Sequence, residues 1–585
     1  MKEIFEKNKK KILIISVIII LVVVAIIIVN QKLKYKIMDD EEKITKYEYY
    51  TLYKDNKMGI IDKTGKVLIE PTYDNIKIPN PSKPIFVCSY DYNDETQEYK
   101  TKVLNENSQE IFNGINEISA ISLQGITSNM PYEKRVLRYK ENEKYGIINL
   151  NGNKVTKPIY ESIESVKYKE GYLLVKKDGK YGVIDSYGKV VIENQYDAIE
   201  GDGFQKDDTY KYSGYIVCKD VDGKNVFGYV NNVGKTILKT EYSKIARIPF
   251  QDETQIYLIA DNDKGTVVLK NEKNILNRQY QSIEYDKNIN SLIVKEDNRF
   301  GIYSMDAKQI LPNEYEKISI NGIYILAQKD GKSFLYDKNG KEIENKGYKN
   351  VIPTSNENYY ITIDSNSKYG VMDKDNKTII DNQYPYIKYA FDNYFIISNA
   401  SGKSGIIDID NKVIVEPIYD VLQNLANTKV LEGKVMSTSI TDIFSKNIEK
   451  VISMQKSNTT VKEDYIKIYS KTDTKYLDLE GKEIPAKNAL KSEVIPDKKD
   501  DKWGVIDRKE NVVVDYKYDK ITEFNEYGFA GIRQADKWGV INTSGEVVLE
   551  PTYKISDESI EPDFMGKYYK VNYGYGEVYY TDKIN

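Results

Sequence analysis

The sequence predicts an all-β chain of tandem β-meander repeats, about 14 units of roughly 36 residues, preceded by one N-terminal transmembrane helix. Three observations lead there. A glycine-centred motif returns along most of the chain, a tyrosine follows it at a fixed distance, and the composition suits strands and turns. Tyr fills 52 of 585 positions against 14 Phe and 2 Trp. With Ile and Val it favours strands, while 35 Gly and many Asn and Asp supply turns.

The N-terminus comes first. Ile12 to Val29 is an 18-residue run whose only polar member is Ser16. As a helix it spans roughly 27 Å, close to the hydrocarbon thickness of a bilayer. Lys2, Lys7, Lys9, Lys10 and Lys11 precede it, against Lys32, Lys34 and Lys36 after it. The excess places residues 1–11 in the cytoplasm and residues 30–47 as a juxtamembrane linker. The run ends Ile28-Val29-Asn30-Gln31 without a small-x-small cleavage pattern, which favours an uncleaved signal anchor over a signal peptide. The expected localisation is a single-pass cell-membrane protein with its repeats outside.

The repeats follow. Lys502-Trp503-Gly504-Val505-Ile506-Asp507 and Lys537-Trp538-Gly539-Val540-Ile541-Asn542 are two clear copies. The glycine recurs at Gly59, Gly146, Gly182, Gly228, Gly265, Gly301, Gly370 and Gly405, with Phe334 in its place once. Fourteen residues after the anchor stand Tyr73, Tyr160, Tyr196, Tyr242, Tyr315, Tyr348, Tyr384, Tyr419, Tyr518 and Tyr553; only Gly265 misses, with Tyr280 one place late. Three residues after it Asp or Asn is usual, as at Asp62, Asn149, Asp185 and Asp507. These carboxamides and carboxylates can hydrogen-bond the turn ahead of them. The glycine inside a strand suggests a bulge or a close approach from a neighbouring unit. The flanking aromatic and the later Tyr read as plugs between units, as with Gly182 and Tyr196.

Each unit reads as a meander. Gly171 to Val175 is a strand, Asp178-Gly179-Lys180 a turn, Tyr181 to Asp185 a second strand, and Lys189 to Ile192 a third. No unit of this size buries a core alone, so the units must stack, as propeller-like blades or as an open β-solenoid. WG-like repeats occupy 48–422 and 501–585; 423–500 holds degenerate copies and a linker, with the charge run Asp497 to Lys502 as solvated linker.

Trp503-Gly504 and Trp538-Gly539, with Glu550-Pro551-Thr552-Tyr553 and Glu70-Pro71-Thr72-Tyr73 behind their strands, resemble the WG repeat family of bacteria. The resemblance covers nearly all of residues 48–585. It implies a tandem β-repeat of envelope-associated or secreted proteins, usually without an assigned activity. The signature residues Trp503, Gly504, Tyr518, Trp538, Gly539, Tyr553, Gly182 and Tyr196 then have a structural role, and no catalytic residue is implied.

Composition narrows the chemistry. The chain has no histidine, which removes Ser-His-Asp and Cys-His systems and His-ligated metals. Cys88 and Cys218 are too few for a disulfide framework and too far apart for a CxxC site. The formal charge is −4, and the first 36 residues hold eight Lys against Glu3 and Glu6. The remainder is acidic and a poor partner for a phosphate backbone, so nucleic acid is not expected. Asp220-Val221-Asp222-Gly223 resembles the start of a calcium loop but has Asn231 where the closing Glu belongs, so turn chemistry is expected and no metal. Gly402-Lys403-Ser404 lacks the first glycine of a phosphate loop, and no cofactor is expected.

Aromatics outside the register are the ligand candidates. Tyr90 and Tyr92 lie in an insertion at 78–100, Tyr210 and Tyr212 in one at 202–216. Flat aromatic faces on loops suit sugar rings or protein hot spots. The expected function is a non-catalytic, membrane-anchored binding or scaffold module for an envelope protein or a cell-wall polysaccharide. The alternative is a propeller-type carbohydrate-active enzyme, which needs an Asp/Glu pair rather than His.

Overall fold

The computed structural model describes residues 47–115, 117–126, 130–206, 209–249, 256–270, 273–343, 348–555, 561–573 and 577–582. Among them the chain is all-β: fourteen antiparallel sheets, eleven of them four-stranded. The one described helix is the single turn Ala486–Ala489. No helix among the described residues is long and apolar enough to cross a membrane. The expected span at 12–29 lies outside the described residues. The single-pass, membrane-anchored localisation is therefore corrected. The reason is one of length: four helical residues rise about 6 Å, against the roughly 30 Å of a bilayer core.

The repeat is a four-stranded blade. In one copy Ser162–Ser165, Tyr172–Lys177, Lys180–Asp185 and Val190–Tyr196 pair in sequence order. The sequence shows only the middle of this unit; a short leading strand and the extension to Tyr196 complete it. The central hairpin turns on Asp178 and Gly179, at φ 50° and 75°, the left-handed pair that a two-residue turn requires. The next turn hangs on Asp185, whose Oδ1 accepts the N–H groups of Tyr187 at 3.0 Å and Lys189 at 2.9 Å. Asp373, Asp408, Asp507 and Asn542 repeat this pattern.

The anchor glycine is explained within its own sheet. A Cβ on Gly182 would stand 2.7 Å from the carbonyl oxygen of Ile192, and one on Gly539 would stand 2.4 Å from that of Leu549. The following strand passes over the glycine at a bulge between Tyr181 and Val183. The close approach thus comes from the same unit, not a neighbouring one. Gly265 is different: it opens its strand beside the turn, facing Asn262 at φ 131°, two places before the anchor position. Hence its tyrosine spacing slips, although Tyr280 still bridges Thr266.

Two compact units are distinguished. The first takes in the described residues of 47–123, 130–159 and 573–579. In its described part, Tyr49–Lys54, Lys57–Asp62 and Val67–Tyr73 form a meander, and the C-terminal strand lies beside Tyr49–Lys54, with the Tyr53 and Tyr579 rings 5.3 Å apart. Its cores gather Ile60, Ile69, Phe86 and Leu104, and Val103, Leu137, Tyr139 and Ile148. The second comprises residues 124–126, 160–572 and 580–585. There apolar clusters join consecutive sheets, as where Val183 and Ile192 meet Tyr215 and Val217 around Tyr196. The charge run 497–502 is no linker. It closes a hairpin between Val494–Lys499 and Lys502–Asp507, with Asp500 and Asp501 at positive φ.

Candidate functional site

In several blades the signature aromatics face each other across the last two strands. Tyr181 pairs with Tyr196, Phe227 with Tyr242, Phe300 with Tyr315, Trp503 with Tyr518 and Trp538 with Tyr553. Trp503 and Tyr518 pack with Ile521, Ala530 and Ile532 of the following sheet, so the pair fills the space between blades. Two consecutive blades lack it. In the first, Asp442 faces Gly433 as Gly182 faces Val175, and the turn acceptor is Ser445. Counting from Asp442 puts Thr441 and Lys456 at the two signature spacings, while the register sets Met454 opposite Thr441. In the next, the turn acceptor Asp478 sets the anchor at Lys475, which leaves Thr474 and Ala489.

A cleft opens at each omission. One of about 630 Å³ is lined by Lys434, Lys456 and Lys471 with Thr441, Ser457 and Thr472 among its hydroxyls, and no Asp or Glu lines it. The other, about 680 Å³, is lined by Ala489 and Leu490, the rings of Tyr465 and Phe524, and an acidic rim that includes Glu463 and Glu523.

Behind the second cleft lies a buried charge cluster. Lys467 Nζ is 2.6 Å from Glu561 Oε2 and 3.3 Å from Glu523 Oε1. Lys520 Nζ is 3.3 Å from Glu561 Oε1, donates to the Asp473 carbonyl at 2.8 Å and to Thr474 Oγ1, and lies over the Trp503 ring. Burial pushes the Lys520 amine down to about 8. Burial also works to lower Lys467, but the carboxylates of Glu561 and Glu523 outweigh it and hold its amine above the usual lysine value. The cluster couples three separate elements: the plugless blade, the Lys520 strand and the segment carrying Glu561.

The tyrosines chosen from sequence fall into different settings. Both insertions are extensions of hairpins rather than loops, because their strands go on pairing across one register shift each: Phe86–Asn93 with Glu98–Leu104, and Ala198–Lys206 with Thr209–Val221. Tyr92 is 47 % exposed and packs at a tilt of 51° against Tyr99, 45 % exposed, with ring centroids 4.7 Å apart. Tyr90 packs edge-on to Tyr73, and Lys102 lies over both rings. Tyr212 is half-buried, edge-on to Tyr215, with the Lys169 amine 4.0 Å from its ring centroid. Its phenol is held well above the usual range by burial and by the neighbouring Tyr215. Of Tyr210 only the backbone, in the strand Thr209–Val221, is described. Tyr90 and Tyr92 thus belong to one compact unit, and Tyr210 and Tyr212 to the other. Both cysteines are buried as free thiols. Asp220 accepts the Gly223 N–H at 2.8 Å, as a turn residue does. Among the described residues no group of three or more Cys, Asp or Glu could hold a metal ion.

Comparison with known proteins bears on the repeat. The family model described as the WG containing repeat matches this chain at five places. These are residues 58–80, 145–181, 405–427, 503–538 and 538–554. The WG matches coincide with blades that keep both the glycine and the tyrosine, and none falls on the two plugless blades. No curated protein matches. Among solved structures, the chain has some similarity to a eukaryotic initiation factor (11 % identity, 63 % of this chain and 95 % of the other, TM-score 0.24). AztD of Citrobacter koseri (11 %, 53 % and 91 %, TM-score 0.21) and the WD40 β-propeller domain of Doa1 (12 %, 37 % and 82 %, TM-score 0.15) are further examples. With TM-scores this low they carry no argument.

Sequence reasoning missed the clefts and the Lys/Glu cluster. The signal was present as an absence: two consecutive units without the tyrosine. It also missed a recurring ion pair seventeen residues apart, as in Lys180–Asp197, Lys403–Asp420 and Lys502–Asp519. There the lysine stands two before the glycine and the aspartate one after the tyrosine.

Proposed function

We propose that the chain is a non-catalytic binding or scaffold module for a protein or cell-wall polysaccharide. The observation that carries this reading is the Tyr92/Tyr99 pair, two rings packed at a tilt and held in the open on a two-stranded hairpin. A buried hairpin would hide such rings in a core; exposed, they offer aromatic faces of the kind that stack on sugar rings or anchor a protein contact. A repeated scaffold adds extended contact, since each blade presents its hairpin tips at a regular spacing. The charge cluster supports binding over glycoside hydrolysis. Glu523 and Glu561, gathered behind the second cleft, are both committed to buried ammonium groups, whereas a glycosidase needs one carboxyl free to carry a proton.

The test is cosedimentation of the full chain with purified cell-wall sacculi, against a control without sacculi. Pelleting that is lost in the Tyr92→Ala/Tyr99→Ala variant, with circular dichroism unchanged, supports a wall glycan as ligand. A folded chain that stays in the supernatant refutes the glycan reading and moves the search to protein partners by cross-linking.

A further inference from the structure

The cleft beside Thr441 and Lys456 is built by subtraction. In other blades an aromatic pair such as Trp503 and Tyr518 closes this space; here Thr441 faces Met454, Lys456 follows two residues on, and about 630 Å³ is left open. What lines it is one kind of chemistry. Lys434, Lys456 and Lys471 supply positive charge, hydroxyls supply donors, and no carboxylate faces inward. Lys434 and Lys471 have counter-ions outside the lining, Glu432 at 3.3 Å and Asp536 at 3.2 Å. Lys456 has no ion-pair partner among the described residues.

Two details mark the site as more than a gap. Thr441 is only 3 % exposed, yet its side chain lines the cleft and its hydroxyl makes no hydrogen bond among the described residues. That hydroxyl oxygen opens to the cleft rather than being sealed in the core, so it can meet a ligand oxygen there. Lys456 sits at φ 48°, in the left-handed region that costs a non-glycine residue energy, and is pinned there by its N–H donating to the Ser439 carbonyl at 2.7 Å. The strained backbone holds the one lysine of the cleft without a counter-ion at its edge.

We propose that this cleft binds an anionic group, carboxylate or phosphate, borne by a polysaccharide. Lys456 makes the charged contact, Thr441 donates its hydroxyl, and Lys434 and Lys471 add to the field. The inference rests on the binding reading above and names the substrate class for it: an acidic rather than a neutral glycan.

The experiment uses the full chain and three polymers: polygalacturonate for the carboxylate, a phosphomannan for the phosphate, and dextran as the neutral control. Calorimetry reads affinity. Intrinsic fluorescence gives a local readout, because Trp503 Nε1 donates to the carbonyl of Thr472, which lines the cleft. The expected result is binding of at least one acidic polymer and not of dextran. Lys456→Gln should weaken it about tenfold, the size of one charge-assisted contact, and Thr441→Val should weaken it severalfold. The circular dichroism and thermal midpoint of both variants should match the parent. Equal binding of dextran, no binding of either acidic polymer by folded protein, or unchanged affinity in both variants each overturns the proposal. The two readings separate cleanly. If Lys456→Gln pellets with sacculi as well as the parent does, the cleft assignment falls and the hairpin assignment stands. If acidic polymers bind in a Lys456-dependent way but sacculi do not, the wall reading falls and the cleft stands.

Discussion

Gly539→Ala tests the account of the repeat most directly. A Cβ at this position would lie 2.4 Å from the Leu549 carbonyl oxygen, 2.7 Å from the Pro551 nitrogen and 2.8 Å from the Glu550 carbonyl carbon. All three are backbone atoms, so no rotamer change relieves the overlap. Ordinary contact needs about 3.4 Å, so the strand Val547–Tyr553 must move by close to 1 Å. That strand is held to its neighbour by the pairs Trp538–Tyr553, Val540–Leu549 and Ile541–Val547. Overpacking of this kind costs about 1–3 kcal/mol, and weakening one or two ladder hydrogen bonds adds about 1 kcal/mol each. The expected loss is therefore about 3 kcal/mol, confined to this blade and its neighbours. Gly531→Ala is the control: it lies on the adjoining strand, and its Cβ would meet only side chains at 3.3 and 3.4 Å. Amide hydrogen exchange resolved along 529–553 is the assay, with Trp538 fluorescence during urea unfolding as a second readout. A Gly539→Ala protein whose amides in 537–553 exchange no faster than those of the Gly531→Ala control would refute the steric argument.

Other expectations are as concrete. Asp185→Ala removes the acceptor for two turn N–H groups and should cost about 1–3 kcal/mol, seen as faster exchange at Tyr187 and Lys189. Tyr92→Ala/Tyr99→Ala should leave the urea midpoint within about 0.5 kcal/mol of the parent, because both rings are open to solvent; a large shift would show that the pair is structural. Lys520 is deprotonated more easily folded than unfolded, with its amine at about 8 against a free value of 10.5. The unfolded state then binds more protons between those values, so this group adds stability as pH rises through the window, by about 3 kcal/mol. Lys467 has the opposite sign, being held above 10.5, so its contribution is lost only above the window. Chemical denaturation from pH 7.5 to 10 should therefore show a steeper rise for the parent than for Lys520→Met; parallel curves would refute the assignment.

Much of this was legible from spacing. The glycine, the tyrosine fourteen residues later and the Asp or Asn three residues later each serve local backbone geometry: a bulge crossed by the next strand, a cross-strand partner, and a turn acceptor. Such roles repeat wherever the residues repeat. Gly265 shows the limit, since a glycine two residues out of place does a different job at a hairpin turn. Tyr212 shows another. Nothing in its neighbourhood in sequence reveals that Lys169 lies over its ring.

The sequence by itself determined the blade, because strand pairing, turn type and glycine placement depend on neighbours within about 35 residues. It could not determine what happens where the pattern lapses. At Thr441 and Lys456, and again at Thr474 and Ala489, the missing aromatics leave space between blades. What fills or lines that space comes from far along the chain: Lys520 hydrogen-bonds Thr474 from 46 residues away, and Glu561 reaches Lys467 from 94. Burial and charge pairing at such separations are properties of packed blades, so only the tertiary structure decided which lapse became a charge cluster and which an open cleft.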